Sequence, residues 1–526
     1  MKKRLLSIAA AGAVAILTLS SCGGSDSGGG APNAAPTDKV LHLSFLQDPG
    51  QPPDPDVYYA GQGLLMTTNT YEGLLQYKGG TDKPEFEPLL ATEWTESPDH
   101  KVFTFKLREG VKFHDGTPFT SAAIKASFDR RLAVGGGPSY MVADVESVTT
   151  QGDYAATITL KAPNSEFLAI LASPYGLRMM SPTGLQKNAG SDFAQNYLTT
   201  HDLGTGPYTL TDAQVVSHYS MAVFGEYWWP KPYFEKVEMP VITDVSAMQL
   251  QFNNGQIAAI LHDLPSSAVE QYLNDAKYSH YSLPTMMSSY LYTNPSKGLM
   301  KDQATRAAVM QAIDVDQLVK QAFFGRGKIG AQMYPPYVLA ADYGKQTLTH
   351  DPAALTKIAA ALPADQKSVT IGYDTSNPDS QLISNLVQTQ LASAGLTAKV
   401  QGYPTSEIYG WVGTDMQAAP EIYTGMVWPD APSPYTWGHI SWDADGGINY
   451  LGCSSPRLTS SLASGLVSGD PKTFSDAGTE AQATGCWLNI ADIDDFVVAQ
   501  PWLKGVEQAH ALSNPNSLRV AALSVG

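Results

Sequence analysis

Between Leu89 and Arg130 the chain reads LLATEWTESPDHKVFTFKLREGVKFHDGTPFTSAAIKASFDR, an order of elements that few folds accommodate. Val102, Thr104 and Lys106 alternate with Phe103, Phe105 and Leu107, the period of two that turns one apolar face of a strand inward. Pro98, Asp99 and His100 turn the chain before this strand, and Arg108, Glu109 and Gly110 turn it again. Val111 to Phe113 predict a second short strand, and Asp115-Gly116 supplies backbone able to take a positive φ. A helix is predicted next. Thr120 or Ser121 would accept an N–H of its first turn, and Ala122, Ala123, Ala126, Phe128 and Leu132 recur at helical spacing. His114-Asp115 has the chemistry of an acid/base pair, but a turn before a helix explains both residues.

A second region reads as a different unit. Val369 to Tyr373 predict a strand, Ser380 to Ala394 an amphipathic helix ending at Gly395, and Thr397 to Val400 another strand. Strand, helix and strand at this spacing make a βαβ unit, hence a parallel pair with a right-handed crossover. Strands are also predicted at 40–47, Tyr154 to Leu160 and Ser288 to Asn294, with helices at Asp302 to Ile313 and from Asp314 onward. Phe496 to Val498 and Leu518 to Leu523 predict strands that return to the first domain.

The first stretch resembles the signature of the peptide and nickel family (family 5) of extracellular solute-binding proteins, receptors for ATP-driven importers. The matching residues are Ala91, Trp94, Ser97, Asp99, Thr104 to Arg108, Val111 to Gly116 and Ser127 to Arg130; Ala123 stands where the family usually has Asp. Further similar segments are Tyr71-Glu72-Gly73-Leu74, Gly204-Thr205-Gly206-Pro207-Tyr208, and 250–260, where Ala258 replaces an Asp. The resemblance implies an α/β, two-lobed fold of the periplasmic-binding-protein type (type II, cluster C) with an extra inserted subdomain. The expected limits are 39–283 with 497–526 for domain I, an accessory subdomain at about 76–202, and 284–496 for domain II.

The N-terminus reads as an export signal. Lys2, Lys3 and Arg4 precede an apolar run from Leu5 to Leu19, too short for a membrane span of roughly 20 residues. Leu19-Ser20-Ser21-Cys22 resembles a lipobox, which implies a signal peptide at 1–21 and lipid on Cys22. Residues 22–38 are rich in Gly, Ser, Ala and Pro, the composition of a flexible tether. The protein is therefore expected at the outer face of the cytoplasmic membrane, held by acyl chains.

A net charge of -17 disfavours nucleic acid and anionic lipid headgroups as partners. With Cys22 assigned to lipid, Cys453 and Cys486 form an even pair in an oxidising compartment and predict a disulfide. No His-x-x-Cys or Cys-x-x-Cys spacing supports a metal site, and no cofactor is expected. The sequence lacks a His-Glu-x-x-His metalloprotease motif, a Gly-x-Ser-x-Gly elbow and a phosphate loop, leaving a secreted hydrolase as a remote alternative to a binding protein.

Met426 to Pro434 resembles the family segment in which an aspartate holds the ammonium of a bound peptide, which assigns that role to Asp430. The tryptophan lies two residues before it rather than three, and Ala431 precedes Pro432 where the family has Asp. By the residues alone Asp430 serves either a ligand or a turn. Trp428, Trp437 and Trp442, with His439 among them, offer flat walls to side chains or sugar rings, or else pack in the core. Tyr58 and Tyr59 from one lobe, and Ser288, Ser289 and Tyr290 from the other, occupy stretches that line the cleft in relatives. Arg326 has the chemistry to pair a ligand carboxylate. The expected function is capture of short peptides by a monomeric receptor and their delivery to a membrane permease; an oligosaccharide is the alternative solute.

Overall fold

The structure, a computed structural model, describes residues 34–526 except 262–263, 348, 413–415 and 513–516. The expected leader, Cys22 and most of the tether lie outside the described residues.

Strand Val102–Leu107 is built as its alternation demands, with Phe103 and Phe105 fully buried and Thr104 and Lys106 exposed. It lies inside an antiparallel sheet of order Ala91–Glu96, Val102–Leu107, Ala155–Leu160, Val145–Thr150, and helix Ala122–Val134 contributes Ala123, Ile124 and Phe128 to the same core. Two local expectations change. Val111 to Phe113 form no strand; a single bridge joins Lys112 to Pro118 around a tight loop, with Gly116 at φ 82°. Ser121 does not cap its helix, because its hydroxyl donates to the Gly152 carbonyl at 2.7 Å.

The rest of the first lobe carries a sheet of order Val40–His42, Lys236–Pro240, His218–Val223, Tyr208–Gln214. A seven-stranded sheet begins in the first lobe and organises the second; its main path runs Ala259–Ile260, Trp487–Ala499, Ser279–Thr293, Ile422–Val427, Ser368–Asp374, Thr397–Tyr403. The expected βαβ unit is present. Ser368–Asp374 and Thr397–Tyr403 pair in parallel, with helix Pro378–Ser393 between them and Asn377 accepting the Ser380 N–H at 3.0 Å as its N-cap.

Two long antiparallel strands connect the lobes. Leu283, Val497 and Ala499 pack with Leu41 and Tyr219, while Leu291, Leu488 and Ile490 pack with Ile371 and Ile383. The ladder slips between Leu283 and Met287, around Pro284, a residue with no N–H to give. At the C-terminus, Leu518 to Leu523 do not form the expected strand. Asn69 takes the Leu518 carbonyl and the Val520 N–H with its side chain, so this backbone is satisfied without a ladder, and the short strand falls at Ser524–Val525. A disulfide joins Cys453 to Cys486, 33 residues apart, tying a loop of the second lobe to the start of strand Trp487–Ala499.

Candidate ligand site between the lobes

Strand Ile422–Val427 ends at a proline-rich loop that leads into helix Pro434–Trp442, whose N-cap Ser433 accepts the Thr436 N–H at 3.0 Å. Prolines 429, 432 and 434 limit the conformations of this loop, and Asp430 is held in it with 7% of its surface exposed. Its Oδ2 accepts hydrogen bonds from the hydroxyls of Tyr59 and Tyr140, and its backbone carbonyl accepts one from Ser173 Oγ. All three donors belong to the first lobe. The Tyr175 ring lies 5.3 Å from that of Tyr59, its hydroxyl donates to the Ala60 carbonyl at 2.9 Å, and Trp428 approaches that hydroxyl from the opposite side of the seam. Burial pushes the Asp430 carboxyl above its ordinary value; the bonds from Tyr140 and Tyr59 and the nearby His439 oppose that shift.

A second contact mirrors the first. Glu166, immediately before helix Phe167–Ala172 of the accessory subdomain, reaches the second lobe. There its Oε2 accepts from Ser433 Oγ and, at 3.0 Å, from the Tyr435 N–H. Burial raises the Glu166 carboxyl to about 7. Ser165 adds two bonds to the Leu466 carbonyl, from its N–H at 3.1 Å and its hydroxyl at 2.9 Å. The lobes are in contact along this line.

The structure thus gathers Tyr59, Trp428 and Asp430 at one place and separates the other expected site residues from it. Trp437 and Trp442 are buried in the second-lobe core at 1% and 0% exposure, packed against Tyr290 and Tyr334, and offer no open wall. Tyr290 is buried with them and donates to the Met333 carbonyl. Ser289 lies in the interior of its strand, where its hydroxyl has no hydrogen-bond partner among the described residues; Ser288 donates to Asp492. Tyr58 packs with Leu64, Met141 and Ile170 behind the seam. Arg326 is committed to Asp379 at 3.0 Å and Ser266 at 2.9 Å, leaving it unsuited to a ligand carboxylate. His114 binds Asp202 and the Gly206 carbonyl, a packing role.

Tyr140, Ser173, Tyr175 and Glu166 escaped the sequence reading. A cue existed for Tyr140. A Cβ on Gly136 would lie 2.3 Å from the Asp56 carbonyl oxygen, and one on Gly137 would lie 2.3 Å from the Tyr59 ring, so this glycine run serves close approach of the loop that carries Tyr140.

Two other clusters are less suited to a ligand. Donor atoms of His439, Asp443 and Asp445 lie within 4.8 Å of one another, but His439 Nδ1 is already engaged by Asp443. A cavity of about 360 Å3 in the first lobe is lined by Glu72, Arg178, Trp228 and Arg519 among others. Its carboxylates are taken, Glu72 by Thr205, Tyr227 and Trp228, and Glu87 by Arg519 and Gln76.

This arrangement, two lobes meeting over a buried carboxyl, coincides with a match to the family described as bacterial extracellular solute-binding proteins, family 5 middle, over residues 85–447. The chain belongs to this family. The matched span runs from the accessory subdomain through Asp430. Among curated relatives, the probable D,D-dipeptide-binding periplasmic protein DdpA of Escherichia coli is 27% identical over 414 residues, covering 78% of this chain and 79% of the relative. Among solved structures, the DppA periplasmic binding protein of Helicobacter pylori in complex with the peptide STSA superposes with a TM-score of 0.79 at 22% identity, covering 92% of this chain and 98% of the other. NikA of Brucella suis in complex with Fe(III)-EDTA gives a TM-score of 0.80 at 22% identity, covering 93% and 100%. The family 5 fold of two α/β lobes is common to them. Members of the family act as solute-binding components of ABC importers, and no helix among the described residues is long and apolar enough to cross a membrane.

Proposed function

We propose that this family 5 protein captures short peptides between its lobes and presents them to an ABC permease, with Asp430 taking the peptide ammonium. The observation that carries this reading is a buried carboxyl at the seam whose hydrogen-bond partners are neutral hydroxyls of the facing lobe. A desolvated ammonium needs an acceptor of full charge, and Asp430 has no guanidinium or ammonium within salt-bridge distance among the described residues. An entering peptide would displace the Tyr59 and Tyr140 hydroxyls and leave them to bond neighbouring polar atoms of the ligand. The DdpA relative is named for D,D-dipeptides and the DppA structure holds a peptide, which supports the same solute class. The burial of Trp437 and Trp442 leaves only Trp428 of the three tryptophans at the seam, which weakens the case for an oligosaccharide.

The remaining parts of the reading follow from function. Lobe limits of 39–283 with 497–526, and 284–496, place the hinge at the slip beside Pro284, and closure at this hinge would let the permease distinguish loaded from empty receptor. Lipid on Cys22 would hold a monomeric receptor at the membrane, and the bound solute would leave unchanged. Thermal shift with di- to pentapeptides against cello- and xylo-oligosaccharides tests the solute class. Stabilisation by peptides alone is expected; stabilisation by sugars alone would refute it.

A further inference from the structure

The seam holds two carboxyls from opposite lobes, Asp430 buried and Glu166 half-buried, and neither is paired with a cation among the described residues. Asp430 of the second lobe is held by Tyr59 and Tyr140 of the first. Glu166 of the first lobe is held by the opening turn of helix Pro434–Trp442 of the second, through Ser433 Oγ and the Tyr435 N–H. Asp430 and Ser433 belong to one short loop, so Glu166 also fixes the segment that presents the ligand carboxyl.

We propose that Glu166 is an interlobe latch that makes closure of the receptor proton-linked. The inference rests on the hinge closure read above and is independent of which solute binds. Free of the second lobe, Glu166 stands on the surface of the accessory subdomain and is solvated. Closure strips that water. The groups that face it are the Tyr77, Tyr334 and Tyr435 phenols and the N–H groups of Tyr435 and Thr436. None carries a formal positive charge. Beyond Tyr435 stand Asp144, Asp443 and Asp445, whose field also disfavours a second anion, together with His439, which stacks on the Tyr435 ring. The hydrogen bonds and the helix N-terminus favour the carboxylate, but they do not offset its lost hydration.

The sign follows directly. The Glu166 carboxyl moves from an ordinary 4.5 to about 7 in the closed form. Closure therefore takes up a proton between those values. Its advantage is full below about 4.5 and is lost as pH rises through about 7. Burial raises the Asp430 carboxyl as well, which adds to the same trend in the empty receptor.

Small-angle scattering of the ligand-free protein between pH 5 and pH 8 reads the separation of the lobes. The closed-to-open ratio is expected to rise by about tenfold or more toward pH 5. Glu166→Gln, which mimics the protonated acid, should be closed across the range. Glu166→Asp, one methylene short of the helix, should favour the open form throughout. His439→Gln should keep the wild-type dependence. A wild type that does not change with pH, or an unchanged dependence in Glu166→Gln, overturns the latch. The double variant Glu166→Ala with Tyr140→Ala tests the hinge itself. If its lobes do not separate at any pH, the closure reading fails; if they separate while the wild type is indifferent to pH, only the latch fails. Melting temperatures of the variants confirm that each is folded.

Discussion

The molecule buries carboxyl groups in two ways. At the junction of the first lobe and its accessory subdomain, Arg130 binds Asp54 and Asp56, and Arg131 binds Asp56 at 2.7 Å, with all four side chains at most 4% exposed. Arg131 completes its set with the carbonyls of Tyr175 and Pro55. At the seam, Asp430 and Glu166 receive only hydroxyl and N–H donors. A carboxylate matched by guanidinium is a permanent joint, since removing either partner strands a charge in a medium that cannot solvate it. A carboxyl matched by neutral donors can exchange them for a ligand or for water without stranding anything. The first arrangement welds subdomain to lobe, and the second lets lobe part from lobe.

The largest effect expected from this contrast is at the joint. Asp56→Ala leaves two buried guanidinium groups facing each other without their shared carboxylate, and a loss of about 3–5 kcal/mol of stability is expected. Chemical denaturation reads it, and a loss below 1 kcal/mol would mean the cluster is not the weld described. Asp430→Asn should behave in the opposite manner. The unliganded protein should keep its stability, because the two tyrosine hydroxyls still find an acceptor, while peptide affinity falls by about 1.5–3 kcal/mol, the worth of a hydrogen bond to a charged group. Calorimetry with a peptide selected by the thermal-shift screen checks it, and full affinity in the variant would remove Asp430 from ammonium recognition.

The joint and the seam differ also in how far the sequence reveals them. Phe103, Phe105 and Leu107 alternate, and the strand, its sheet and the helix after it follow from that period. Arg130 falls in the same readable stretch, although its partners Asp54 and Asp56 lie in a loop 76 and 74 residues away, and nothing local announces the pairing. At the seam, Asp430 and Tyr59 were legible by resemblance, but Tyr140 and Glu166 come from a subdomain whose pattern speaks only of its own packing. Contact across a hinge leaves no periodicity, because neither lobe needs it to fold. The same reason misplaces Trp437 and Trp442. Aromatics in a proline-rich stretch look like cleft walls, yet here a short helix carries them inward.

The two seam carboxyls also push ligand binding in opposite directions with pH. Glu166 gains a proton on closure, so affinity should rise by about tenfold or more as pH falls from 8 toward 5. Asp430 must be ionised to hold an ammonium, and burial has raised its carboxyl above 3.8, so affinity should fall again in more acid solution. A maximum in affinity is expected, measured by calorimetric titration at several pH values. Glu166→Gln should abolish the alkaline limb and leave the acid limb. A monotonic profile in the wild type would show that one of the two carboxyls is not buried in the loaded receptor.

The smallest effect sharpens the comparison most. Tyr140 donates to Asp430 Oδ2 beside Tyr59, and both bonds hold the carboxyl down against burial. Tyr140→Phe keeps the ring and its T-shaped contact with Tyr59 while removing the donor. The ordinary worth of such a bond, about 0.5–1.5 kcal/mol, would be lost from the empty closed form. In the loaded form the ammonium takes over the acceptor, so the variant should bind peptide within a few-fold of wild type. Its acid limb should nevertheless move to higher pH, because the remaining hydroxyl opposes the desolvation of Asp430 less well. Tyr59→Phe should shift the limb the same way. At the Arg130 joint burial also pushes the Asp54 carboxyl up, but there the charge of the Arg130 guanidinium opposes it and would remain after the loss of one hydrogen bond. An acid limb that does not move in Tyr140→Phe would place the control of Asp430 outside the tyrosine pair, and the distinction between the two kinds of buried carboxyl would fail at its most specific point.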